Sequence, residues 1–165
     1  MSAPVAAYVR LISLISNLFG IVAVLLMGSA AIVVTHMVIV RYVLAESTVW
    51  QTEYVTYALV AATFVGSPYV LLEKGHVNVD LLPMALPERP RRLMLAVAGA
   101  FGVAFCALLA WSGWIYFYEA WEGGWRTSTV WAIPLWIPLL PLPIGAGLLV
   151  LQYIAELFKL FGGAK

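Results

Sequence analysis

Four stretches of the chain contain no Asp, Glu, Lys or Arg: Leu11 to Val40, Tyr54 to Leu72, Leu93 to Tyr118 and Thr127 to Ala155. Each is about as long as, or longer than, the ~20 apolar residues a helix needs to cross a hydrocarbon core ~30 Å thick. In lipid the backbone must satisfy its own N–H and C=O groups, and within one segment only a helix does so. The pattern predicts an all-α integral membrane protein with four transmembrane helices, over approximately 14–40, 54–72, 93–118 and 131–157. Composition agrees, since 64% of the 165 residues are hydrophobic and 10% charged, against about a quarter charged in a water-soluble domain. Connections this short leave no room for a separate soluble domain. Residues 1–165 therefore read as a single membrane domain.

The first span could be a signal peptide, because Arg10 precedes the apolar run and Gly28-Ser29-Ala30-Ala31 resembles a small-residue cleavage site. The run continues to Val40, well past the roughly 7–15 residues of a signal core, so an uncleaved helix is expected. Its 30 charge-free residues would make a helix ~45 Å long, which predicts tilt or extension into the headgroups. Just before it, Val5, Ala6, Val9 and Ile12 suggest a short interfacial helical segment over Val5 to Ile15. Val77, Leu81, Leu82 and Ala85 suggest another in the second loop.

Basic residues outside the spans set the orientation. Arg10, Lys74, Arg89, Arg91, Arg92, Lys159 and Lys165 fall on one side, and only Arg41 and Arg126 on the other. Both termini are therefore expected in the cytoplasm. Arg89, Arg91 and Arg92 read most simply as a topology and lipid-headgroup signal. All the tryptophans then lie toward the outer face: Trp50, Trp111, Trp114, Trp121, Trp125, Trp131 and Trp136. Such a belt can anchor the chain against outer headgroups, or part of it can contact a partner protein.

Ala58, Ala62 and Gly66 share one face of span two and permit close helix approach, and Ser67-Pro68 predicts a kink. Ser47 or Thr48 is a candidate N-cap, and Glu53 either favours the positive helix end or binds another subunit. Gly99 and Gly102 suit tight packing of span three. Pro134, Pro138, Pro141 and Pro143 interrupt backbone bonds in span four. With no second broken segment to pair with it, a kinked structural helix is expected there rather than a transport site.

No catalytic, cofactor or metal template is satisfied: there is no Gly-rich phosphate loop, no nucleophile elbow and no histidine pair at helical spacing. The lone Cys106 reads as a small buried apolar residue. His36 near the outer end of span one and His76 past the inner end of span two should lie a membrane thickness apart, ~30 Å, too far to share a haem. Nucleic acid is excluded as a partner by a net charge of +1 without a basic stripe. The charge-free spans disfavour an exporter worked by a membrane-embedded carboxylate. What remains is a non-enzymatic accessory subunit, with a redox-enzyme anchor or a self-sufficient four-helix channel or exporter as rivals.

Arg41 at the end of span one, Trp50-x-x-Glu53 opening span two, Gly66 late in it, and Gly75-His76-Val77-x-Val79-Asp80 before a Leu-Pro and basic residues form an ordered series. With Ile133-Pro134-x-Trp136 and Pro143-Ile144-Gly145 in span four, this series resembles the small membrane subunit, DctQ type, of tripartite ATP-independent periplasmic (TRAP) transporters. The resemblance covers roughly residues 35 to 155. Thr52 and Glu73 depart from it, where the family often has acidic and basic residues respectively. The resemblance implies a bacterial inner-membrane transporter for organic acids, driven by a sodium gradient. Its partners would be a large multi-span transport subunit that holds the substrate and ion sites, and a periplasmic substrate-binding protein. This chain would be a scaffold, with Arg41, Trp50, Glu53, Gly66, His76 and Asp80 in subunit-interface or structural contacts.

Overall fold

The structure is a computed structural model that describes residues 3–73, 87–129 and 131–162. Among these residues it is helical, with α1 (Ala3–Val43), α2 (Val49–Leu72), α3 (Glu88–Glu122), a single turn α4 (Trp136–Leu139) and α5 (Pro141–Gly162). Four segments are long and apolar enough to cross a membrane: α1, α2, α3 and the run Trp136–Phe161, which joins α4 to α5.

The 41 residues of α1 make a helix ~61 Å long. The separate interfacial segment expected over Val5 to Ile15 is absent; those residues are the continuous first turns of α1. No Gly or Pro interrupts Val5 to Phe19, and α5 supports the extension. The Tyr8 hydroxyl donates to the Leu151 carbonyl at 3.0 Å, and its ring stands edge-on to Phe158.

Antiparallel packing of α1 on α2 uses small residues. Ala58, Ala62 and Gly66 are all buried. A Cβ on Gly66 would lie 3.0 Å from that of Ala23, and one on Gly20 would strike the Tyr69 ring. Pro68 sits inside α2 without ending it. Its missing N–H leaves the carbonyl of Phe64, four residues earlier, without a helical donor. Gly145 of α5 backs directly onto that oxygen.

The fourth span differs most from its expected form. Residues 131–135 lie in a loop, because the α3–α4 connection folds on itself: Trp125 N–H donates to Ala120 O (3.1 Å), Thr127 N–H to Ile133 O (3.0 Å) and Leu135 N–H to Trp125 O (2.8 Å). Ala132 takes φ +46°, which no helix accommodates. Pro141 and Pro143 fall in the first turn of α5, where a missing N–H is an orphan in any case. Pro138, Pro141 and Pro143 thus lie in the first turns of the span Trp136–Phe161, where α4 gives way to α5, and α5 runs on unbroken beyond them.

The helices do not close a symmetric bundle. Helix α5 packs on α1, α2 and α3, whereas α3 touches α4 and α5 but neither α1 nor α2 among the described residues. Gly99 meets Leu157, Gly102 meets Tyr153, and Gly113 meets Leu142, so α3 lies antiparallel along one side of α5. The buried residues of α5, Ala146, Leu148, Gln152 and Ala155, form the centre of the molecule. Long rows of apolar side chains stay exposed on α1 (Val24, Leu25, Ile32) and α3 (Phe101, Phe105, Leu108). In a membrane, lipid or another helix covers such faces.

Candidate functional site

Polar side chains enter the interior at two levels, one near each end of the helices. At the tryptophan-rich end, α1 stops at Val43, two residues past Arg41, and the chain turns through Ala45 in the left-handed region (φ +52°). Thr48 is the N-cap position of α2, but its side chain makes no capping bond. In the next turn Gln51 and Glu53 point inward, 2% and 9% exposed. Gln51 Oε1 and both carboxylate oxygens of Glu53 are buried without a hydrogen-bond partner among the described residues. An acceptor left so costs its full desolvation, and an ionised carboxylate costs several kcal/mol.

The α3–α4 loop meets this part of α2. The Trp131 ring stands edge-on to Trp50 at 6.3 Å, and Trp50 in turn packs beside His36 at 6.2 Å. Thr127 lies beside Tyr57, one helical turn beyond Glu53. On α3 the rings form a second series: Trp114 to Phe117 at 5.6 Å, Phe117 to Trp121 at 6.2 Å, and Trp121 to Trp136 at 4.8 Å. Tyr116 and Trp125 make a further edge-on pair.

At the opposite end a polar chain links α1 to α5. The fully buried Ser16 hydroxyl donates to Gln152 Oε1 at 2.9 Å. Gln152 Nε2 donates to Glu156 Oε1 at 3.2 Å, and Lys159 Nζ approaches the same oxygen at 2.6 Å. Every member has a partner, so this is a closed network that fixes the register of α1 on α5. Glu156 falls within the expected 131–157 span, and pairing with Lys159 on the next turn offsets the cost of its burial.

The expected site residues are not gathered in one place. Arg41 and Trp50 are exposed at the tryptophan-rich end, and Glu53 is buried in the second turn of α2. Gly66 belongs to the α1–α2 contact and lies far along the helix. His76 and Asp80, with the interfacial segment expected around Val77 to Ala85, lie outside the described residues. Arg89, Arg91 and Arg92 are exposed in the first turns of α3, where Arg92 reaches Glu88 at 3.7 Å. Trp111, Trp114, Trp121, Trp125 and Trp131 are exposed and Trp136 is half-buried. Sequence reading missed Gln51, Ser16 and Gln152. The available signal was a lone polar side chain inside an apolar run, with Gln152 set four residues before Glu156.

Four membrane-length helices with a buried carboxylate near one end and exposed apolar faces fit several kinds of membrane subunit. Comparison with known families decides which. The family model of the tripartite ATP-independent periplasmic transporters, DctQ component, matches residues 30–163. The chain belongs to the DctQ family. It is similar to the C4-dicarboxylate TRAP transporter small permease protein DctQ of Vibrio cholerae, 26% identical over 158 residues, covering 83% of this chain and 68% of that protein. A DctQ chain is a non-enzymatic component of a three-part transporter. In this DctQ chain Gln152, Glu156 and Lys159 of the polar network, and the buried Glu53, all lie within the matched residues, whereas Ser16 precedes them.

Proposed function

We propose that this DctQ chain is the fixed small subunit of a sodium-driven TRAP transporter in a bacterial inner membrane, with both termini in the cytoplasm. It buttresses a large multi-span transport subunit, which carries substrate and ions, and its tryptophan-rich end helps to seat the periplasmic substrate-binding protein. The cargo class is organic acids; the C4-dicarboxylate in the name of the Vibrio cholerae relative supports that class.

One observation carries the reading: among the described residues Asp, Glu, Lys and Arg lie only toward the ends of the spans, turned inward at Glu53 and at the paired Glu156. The middle of every span lacks them, and ion-coupled carriers commonly place such residues within their spans. The exposed apolar rows of α1 and α3 supply area for a membrane partner. Arg41, Trp50 and Glu53 at one end, with His76 and Asp80 of the sequence between α2 and α3, are assigned to subunit or structural contacts.

The test is affinity purification of the tagged chain in mild detergent, followed by reconstitution. A large multi-span protein is expected to accompany it. Vesicles holding both, supplied with the binding protein, should take up organic acid when sodium is placed outside. Flux through vesicles that hold this chain alone would overturn the scaffold role.

A further inference from the structure

Beside the α3–α4 loop, Trp121, Gly124, Arg126, Pro134 and Trp136 line an open cleft of about 280 Å³. That lies near the lower end of the roughly 300–1,000 Å³ range that holds compact organic ligands. Its frame is built rather than incidental. Gly124 takes φ +57°, the left-handed turn that leads the chain off the end of α3. Arg126 and Pro134 then face each other across an isolated antiparallel bridge, which Leu135 N–H closes onto Trp125 O. The guanidinium is held over the cleft by one long bond, Nη1 to the Ala132 carbonyl at 3.4 Å. No carboxylate pairs with it among the described residues, where the salt bridges are Arg92–Glu88 and Lys159–Glu156.

Two further features define what would fill this space. The Trp121 and Trp136 rings meet edge-to-face at the cleft wall, and tryptophan concentrates at the headgroup level of a bilayer. From that wall the ring series runs through Phe117 to Trp114, seven residues and ~10 Å along α3 toward the bilayer centre, with Trp114 and Trp121 each 55% exposed. The site is thus a cation at headgroup depth joined to an apolar rail pointing into the hydrocarbon.

We propose that this cleft binds the phosphodiester of a phospholipid headgroup, with Arg126 as its anion partner and the Trp121–Phe117–Trp114 rail against one acyl chain. A guanidinium fork matches two phosphate oxygens in a way a single ammonium does not. An acidic side chain of a partner protein would answer the charge but leave the rail unused. The lipid joins this loop to the bilayer and holds the chain at a fixed depth beside whatever it supports.

Native mass spectrometry of the purified chain, with phosphatidylglycerol, phosphatidylethanolamine or diacylglycerol added to the detergent, tests the assignment. One phospholipid per chain should survive, and diacylglycerol, which lacks the phosphate, should be retained at least about tenfold less. R126Q should lower phospholipid retention about tenfold and R126K less, while millimolar inorganic phosphate should leave the lipid in place. Equal retention of diacylglycerol, unchanged retention in a folded R126Q protein, or displacement by free phosphate would each overturn the proposal. So would an R126Q protein that keeps its lipid but loses the substrate-binding protein, since that result makes the cleft a protein contact. The lipid series on the unmodified chain stands even where R126Q does not fold.

Discussion

Gly145 of α5 rests against the carbonyl oxygen of Phe64, the group in α2 that Pro68 deprives of its helical donor. A proline in one helix and a glycine in another thus form one contact. The proline frees the oxygen, and the glycine, lacking a Cβ, lets a backbone C–H approach it. Pro68 itself is fully buried.

Substitution at the two neighbouring glycines should therefore separate sharply. Gly145→Ala places a methyl group on the Phe64 carbonyl and forces α5 away from α2, at a cost of about 1–3 kcal/mol. Gly147, one step round the same helix, faces open space. Gly147→Ala should change stability by no more than about 0.5 kcal/mol. Thermal unfolding in one detergent compares them, and equal losses would mean that α5 does not sit on Phe64.

The Ser16 to Gln152 hydrogen bond should appear as coupling between α1 and α5. Interhelical bonds in membranes average about 0.6 kcal/mol and reach about 1.7 kcal/mol. A double-mutant cycle of Ser16→Ala and Gln152→Leu is expected to return a coupling in that range. Gln152→Leu alone should cost more than Ser16→Ala, because it also strips a donor from Glu156.

Glu53 offers a way to part folding from assembly. Its carboxylate oxygens are buried without protein donors, so Glu53→Gln removes a potential charge from a poor environment. The isolated subunit should melt at the same temperature or higher. Recovery of the large subunit in affinity purification should nonetheless fall severalfold, and further for Glu53→Ala. Full recovery and full uptake in both variants would remove Glu53 from the subunit contacts.

Disulfide trapping reads the helix arrangement directly. In a Cys106→Ser background, the pair Ala23→Cys and Gly66→Cys should oxidise, because their Cβ atoms would lie 3.0 Å apart, inside the roughly 3.5–4.5 Å of a disulfide by an amount that a small outward shift of α1 from α2 supplies. A pair placed on Leu25 of α1 and Phe105 of α3, helices that do not touch, should stay reduced. Efficient trapping of the second pair would indicate a closed bundle in the membrane.

Much of this architecture was legible because the membrane simplifies the code. Gaps between charges located four membrane-length helices, and the spacing of Ala58, Ala62 and Gly66 marked the face of α2 that α1 covers. The pairing of Ser16 with Gln152 was not legible, since 136 residues separate them and nothing in either local pattern names the other. The loop over residues 131–135 was hidden for a different reason. Its apolar composition suits a span, and only the bonds back to Trp125 and Thr127 fold it out of the helix. The free carboxylate of Glu53 was visible as a residue but not as a buried one, because burial there depends on which faces α1 and the α3–α4 loop cover.

The position of α3 bears on how the protein is made. A ribosome delivers helices to the membrane in chain order. Helices α1 and α2 can close on each other as soon as both have emerged. Helix α3 finds no such welcome, because its neighbours among the described residues, α4 and α5, are still unmade. It must wait in lipid as a lone helix until the final segment arrives, and that last arrival docks both halves at once. A chain that stalls before α5 would leave a two-helix hairpin and a stray third helix, a substrate for membrane quality control rather than a partial subunit.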